Sequence, residues 1–224
     1  AGSPRPQDRS DATGTAPVQL QWRAQPPSVL TEVPGTGAGV TAMGETIFAV
    51  VPVNVTLLLS REHYVAAAEA YMRGIERRLA AGLAPKVASV ASIFVSRWDV
   101  AVKDEVSAGY RNRLGIAIAM RTYKAYRDLL ASKRWQRLAA SGAQQQRLLW
   151  ASTGTKDPAA ADTLYIDALA APDTINTIPE KTLLAFPDPG KVTGAVTFTE
   201  GYSQAVIARF QPRRGAAERT APTL

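Results

Sequence analysis

The sequence contains no cysteine and a single histidine. The first absence removes disulfides, thiolate metal sites and a thiol nucleophile from consideration. The second leaves no company for a Ser-His-Asp triad or a multi-histidine metal site. His63 stands alone at the start of a helical stretch, where a partly exposed helix residue is the simplest reading. No apolar run approaches the roughly 18 residues of a membrane span, and no stretch reads as a secretory signal. The composition therefore predicts a soluble, cytoplasmic protein with no metal site and no membrane partner.

What is present is positive charge and apolar pattern. The 224 residues carry a net charge of +7, with a pI near 9.9. Such a balance suits nucleic acid, an acidic surface or an anionic substrate. Some of the charge lies at one end, where Arg209, Arg213, Arg214 and Arg219 face only Glu218. The rest is interleaved with apolar residues at helical spacing, as on solvated helix faces. Neither an aromatic-and-glycine ribonucleoprotein pattern nor a basic heptad helix occurs, so nucleic acid is not an expected partner.

Residues 1–28 are rich in Pro, Ser, Gln, Asp and Gly without hydrophobic periodicity, and read as a disordered leader. Residues 211–224 read as a loose basic tail. Between them, over residues 29–210, the hydrophobic period alternates. "SVLTEVP" is a strand and "AGVTAMGETIFAV" its helix. "VPVNVTLLL", from Val51 to Leu59, is an unbroken β-branched run that suits a strand buried on both faces. The next segment places Tyr64, Ala68, Tyr71, Ile75 and Leu79 at three- and four-residue spacing, an amphipathic helix closed by glycine. "KVASVASIFVSRWD" is a strand, and residues 111–142 form a long helix with at most one break. "RLLWAST" is a short strand. "DTINTIPEKTLLAF" is another, with a helix opening at Pro179. Strict alternation with long crossovers demands a parallel sheet covered by helices, either doubly wound or closed as a barrel.

Two motif matches carry little. "GAGVTA" (Gly37–Ala42) fits a dinucleotide fingerprint, but its strand is short, interrupted by Glu32 and closed by Pro34. "NVT" at Asn54–Thr56 fits a glycosylation acceptor inside what reads as a buried strand. Polar residues at the strand ends carry more. Asn54 and Thr56 are two apart and share a face of their strand. Ser92, Phe94 and Ser96 share a face of the next, with Arg97 at its end. Ser152 leads into "TGTK", with Lys156 just beyond. Any one hydroxyl could merely satisfy a backbone group. Five such residues at successive strand ends favour a site, because parallel-sheet folds place theirs there.

These segments, "VPVNVTLLLS", "YVAAAEAYMRGIE", "VASVASIFVSRWD", "QQQRLLWASTGTKDP" and "DTLYIDALAAPDTINTIPEKTLLAF", resemble the bacterial transaldolases in order and spacing over about residues 29–210. The resemblance implies a (β/α)₈ TIM-type barrel and an enzyme of the pentose phosphate pathway. The family reaction transfers a dihydroxyacetone unit between sugar phosphates through a lysine Schiff base, with an acidic residue and a water moving protons and no cofactor. Asn54 and Thr56 match the pair that positions the intermediate and the water. Ser92 and Arg97 match substrate contacts, Arg97 gripping the terminal phosphate, and Phe94 shares their strand. Ser152 matches a further substrate serine, and Lys156 is placed to add phosphate affinity.

One position departs from the pattern. In "VLTEVPGTGAGV" the family has Lys-Ile-Pro where this chain reads Glu32-Val33-Pro34, so a carboxylate occupies the position of the Schiff-base lysine. A carboxylate cannot form an iminium, and Lys156 is the only nearby lysine to take its place. Three strand–helix units of about 30 residues would need on the order of 90 residues ahead of this strand, and residues 1–28 lack strand character. The expectation is thus a partial barrel covering about strands 4 to 8, without the family's strand-one Asp and strand-three Glu. Its two open sheet edges make a homo-oligomer a natural state. The function expected is transaldolase-like; the alternative is a catalytically inactive or truncated relative that at most binds sugar phosphate.

Overall fold

The computed structural model describes residues 30–184 and 200–210. The expected leader, the basic tail and the end of the "EKTLLAF" helix lie outside the described residues. Among the described residues five strands alternate with helices. The strands are β1 (Thr31–Pro34), β2 (Val53–Leu58), β3 (Ser89–Phe94), β4 (Arg147–Ala151) and β5 (Thr174–Asn176). Helix α1 is Gly37–Phe48, α2 Arg61–Ala80, α3 Ser96–Val102, α4 Leu114–Ala131 and α5 Lys133–Ala140. After them come α6 (Leu164–Leu169), α7 (Glu180–Leu184) and α8 (Glu200–Phe210). The strand order is β1-β2-β3-β4-β5, and both β1/β2 and β4/β5 pair in parallel. A doubly wound sheet reverses its strand order at a switch point. This order never reverses, which selects the winding of a (β/α)₈ barrel, here a partial one.

The chain divides into two compact units. Among the described residues the first comprises 30–58, 62–92 and 126–147, and the second 59–61, 93–125, 148–184 and 200–210.

In the first unit β1 and β2 contribute Val33, Val53 and Val55, each fully buried. Helix α1 adds Met43 and Ile47, and α2 adds Tyr64, Tyr71 and Ile75. The helical spacing expected for α2 is realised, with one change in its last turn. There Arg78 is buried and Leu79 only half-buried. The Arg78 guanidinium donates to the carbonyls of Phe48 and Ala84, tying the loops after α1 and α2. Tyr71 donates its hydroxyl to the Val87 carbonyl at 2.9 Å. Gly82, at φ +71°, ends the α2 segment as the glycine stop predicted. The long helix breaks once, at Ser132, whose side chain accepts from the Trp135 amide and caps α5.

One of the two glycines of "GAGVTA" has a packing role. Thr36 caps α1 by accepting from the Gly39 amide at 3.2 Å. A Cβ on Gly39 would stand 2.0 Å from the Pro34 carbonyl oxygen, whereas one on Gly37 would meet nothing within 4 Å. Gly39 lets the helix start against the end of its own strand.

In the second unit Ile93, Leu148, Trp150, Tyr165 and Leu169 form the core. The buried Trp150 indole donates to the Leu169 carbonyl at 2.9 Å. Two short helices, α3 and α6, were not separately foreseen from the sequence. Each spans fewer than two full heptads of pattern, too little for periodicity to declare.

Three sequence expectations need correction. The Val51–Leu59 run is not buried on both faces: Val53 and Val55 are buried, while Asn54, Thr56 and Leu57 are half-buried. The two polar side chains keep that face partly open. "SRWD" does not extend β3. Val95 turns to helical angles, φ −86° and ψ −62°, and Ser96 opens α3, so Ser96 does not share a strand face with Ser92 and Phe94, and Arg97 lies in a helix. Finally, α7 begins at Glu180, and Pro179 precedes it, accepting from the Leu183 amide at 2.9 Å.

Replacing Gly39 by Ala is expected to destabilise the chain by about 1–3 kcal/mol, the usual range for forcing extra volume into a packed position. Gly37→Ala should change stability little. Urea unfolding midpoints of the two variants check the contrast.

Candidate active site

The first unit holds Glu32, Asn54, Thr56 and Ser92. β1 and β2 pair so that Glu32 stands opposite Asn54 and Pro34 opposite Thr56. Opposed residues of neighbouring strands point to the same face, with backbones about 4.8 Å apart. Glu32 is exposed, and Asn54 and Thr56 are half-buried. The buried Ser92 hydroxyl donates to the Asn54 side-chain oxygen at 2.7 Å. That bond fixes the amide with its oxygen toward Ser92 and its NH₂ left to donate elsewhere. The backbone continues the pairing past the strand end, where the Gly35 amide donates to the Thr56 carbonyl at 2.8 Å. The glutamate that interrupts "VLTEVP" therefore lies beside an oriented asparagine, on the open face of the sheet.

The second unit holds Phe94, Arg97, Ser152 and Lys156. Arg97 is exposed in the first turn of α3, and its guanidinium lies over the Phe94 ring, 5.1 Å from the centroid. Stacking on the ring leaves the planar donors of the guanidinium available to an anion. Ser152 adopts φ +55°, and its hydroxyl lies 2.9 Å from that of the buried Ser96. The Ser96 amide also donates to the Ser152 carbonyl at 3.1 Å. The chain leaving β3 and the chain leaving β4 are thus stitched together beside Arg97. Thr153 extends the same device, donating at 2.8 Å to Asn176 at the end of β5. Thr153 and Asn176 were missed in the sequence. The cue was there, since both are polar residues next to apolar strand ends.

Lys156 is exposed and lines a separate cavity of about 190 Å³. Asp99, Lys103, Arg111, Asp157 and Tyr165 share its walls, and Arg97 and Ser152 do not. Asp99 is the buried group here. It accepts from the amides of Leu114 at 2.9 Å and Gly115 at 3.2 Å, and from the Tyr165 hydroxyl at 2.9 Å. Burial pushes its carboxyl above the ordinary 3.8, against the pull of the Tyr165, Gly115 and Leu114 hydrogen bonds. Among the described residues no cluster of His, Cys, Asp and Glu could hold a metal ion, and no helix is long and apolar enough to cross a membrane.

A parallel sheet wound in one direction, with polar side chains gathered where its strands end, defines the class of (β/α)-barrel site proteins. The chain belongs to the transaldolase family: residues 3–216 match the family described as Transaldolase/Fructose-6-phosphate aldolase. It is 44% identical over 210 residues to Transaldolase 1 of Streptomyces avermitilis, covering 90% of this chain and 55% of that protein. It is 41% identical over 217 residues to the transaldolase of a Parafrankia species, covering 92% and 58% respectively. For the transaldolase of Mycolicibacterium smegmatis the identity is 41% over 200 residues, with coverage of 85% and 54%. The chain spans about half the length of the curated relatives it matches.

The raised Asp99 carboxyl has a consequence for stability. Because the folded state holds this proton more tightly than the unfolded state, the group favours folding at low pH. That contribution is lost as pH rises from 3.8 through the higher folded value. The lowered carboxyls, Glu76 and Asp157, act with the opposite sign. Asp99→Asn should therefore gain stability relative to the parent between about pH 4 and neutrality. Urea midpoints measured for both across that range check the slope, which a pH-independent loss of hydrogen bonds would leave flat.

Proposed function

We propose that this chain is a transaldolase-like protein that binds sugar phosphates, ketose and aldose, and does not form the Schiff base at position 32. The observation that carries the reading is the pairing of Glu32 with Asn54, which puts a carboxylate where the family resemblance places the lysine. Asn54 and Thr56 would contact the sugar, with Ser92 holding the Asn54 amide. Arg97, backed by Phe94, would take the phosphate, and Ser152 would contact the substrate. The family reaction, transfer of a dihydroxyacetone unit, needs an amine nucleophile. A carboxylate offers none. The same reading places the chain in the cytoplasm, as its composition suggests, and needs no cofactor.

Calorimetry with fructose 6-phosphate tests the grip. Replacing Arg97 by Gln removes a charge-assisted hydrogen-bond donor worth roughly 1.5–3 kcal/mol, so affinity should fall roughly 10- to 150-fold. Unchanged affinity would remove Arg97 from the site. Borohydride trapping tests the chemistry. The expected result is no three-carbon adduct on the folded chain. An adduct would overturn the non-covalent reading, and peptide mapping would name the lysine, with Lys156 the first to check.

A further inference from the structure

The cavity beside Asp99 has a charge arrangement that the strand-end reading does not use. Two of its carboxylates already accept hydrogen bonds within the protein. Asp99 takes three donors, as described above. Asp157 accepts from the Asn112 side chain at 2.7 Å and from the Ala159 amide at 3.0 Å. Lys103 and Asp104 form an exposed pair at 3.8 Å, of a kind that contributes little. Arg111 lies close enough to Asp157 to help hold that carboxyl below its ordinary range, and among the described residues neither Arg111 nor Lys156 forms an ion pair within salt-bridge distance. The cavity thus sets Lys103, Arg111 and Lys156 beside Asp104 and Asp157, cations for a phosphate next to acceptors for hydroxyls.

The walls are also held in place. Asn112 adopts φ +58°, a conformation that asparagine tolerates. Its bond to Asp157 pins the turn before α4 to the loop after β4. Beside Arg111, the Tyr110 ring lies under the Arg209 guanidinium, 5.4 Å from the centroid. A wall already held in place loses less ordering entropy on binding. Its volume, about 190 Å³, falls below the roughly 300–1,000 Å³ of pockets for drug-sized ligands. It suits a molecule of a few carbons.

We propose that this cavity is a second binding site, for a small phosphorylated polyol, with Arg111, Lys156 and Lys103 on the phosphate and Asp157 and Asp104 accepting from the hydroxyls. A guanidinium and an ammonium together match a phosphate dianion, the first as a planar fork and the second as a point charge. Carboxylate oxygens left over after internal bonding are natural acceptors for hydroxyl groups. This site shares no wall with Arg97 or Ser152 and stands or falls independently of the strand-end reading.

The test is calorimetric titration of the folded chain with glycerol 3-phosphate, inorganic phosphate and glycerol. Glycerol 3-phosphate should bind saturably, inorganic phosphate more weakly at the same site, and glycerol not at all. Arg111→Gln and Lys103→Gln alter exposed side chains, and circular dichroism checks that both variants remain folded. Each should weaken glycerol 3-phosphate at least about tenfold, in line with loss of a charge-assisted contact, while leaving fructose 6-phosphate binding at the strand ends intact. Arg97→Gln should do the reverse. Affinity unchanged in both cavity variants overturns the proposal, as does the absence of saturable binding at millimolar concentration. Loss of all phosphate binding in Arg97→Gln alone also overturns it. Inorganic phosphate binding as tightly as glycerol 3-phosphate would overturn the polyol assignment.

Discussion

The buried carboxylate of Asp99 organises the second unit. One side chain of α3 satisfies two amides at the start of α4 and the hydroxyl of Tyr165 on α6, so three helices meet at a single group. The first amides of a helix have no partner within it, and an acceptor that supplies one also interacts favourably with the helix dipole. The approach is close: a Cβ on Gly115 would lie 2.4 Å from the Val95 carbonyl oxygen and 2.6 Å from Asp99 Oδ2. Glycine at that position lets α4 start against the exit of β3. The positions of Arg97, Arg111 and Asp157 all follow from where these helices begin.

In the first unit the corresponding constraint is backbone register. Glu32 faces Asn54 because Thr31 pairs with Val53 and every later position follows. A slip of one residue would exchange the faces and send Val33 to solvent. The buried Val33, Val53 and Val55 hold the register, and Glu32 and Asn54 are adjacent as a result. Ser92 then fixes which end of the Asn54 amide is presented. A hydrophobic pattern thereby sets the geometry of a polar one.

The sequence made the alternation of strands and helices legible, since apolar runs and helical spacing are signals of the core. It made the strand-end polar residues legible for the same reason, because Asn54, Ser92 and Ser152 stand out against apolar neighbours. It did not reveal where β3 ends. "SIFVSRWDVAV" remains apolar across the change from strand to helix, and the change rests on the helical angles of Val95. Nor did it separate Lys156 from Arg97. Both lie just beyond a strand, and only the fold places Lys156 in a cavity that Arg97 does not line. The pairing of Asn112 with Asp157, 45 residues apart, has no periodic signature at all.

Gripping a phosphate and forming an iminium are physically separable tasks, which the proposed reading gives to different positions. Binding a phosphate needs fixed charge and hydrogen-bond geometry, and the proposed grip rests on Arg97, whose guanidinium lies over the Phe94 ring. Forming the iminium needs a neutral amine at one point on a strand. Changing that point to a carboxylate removes the nucleophile without touching the cation. The carboxylate also carries a charge, and at about 4 Å in water two like charges repel by only about 1 kcal/mol. The penalty falls further with distance and salt. Glu32 is exposed, so on the proposed reading its charge is a small obstacle to an anionic ligand and a complete one to the covalent step.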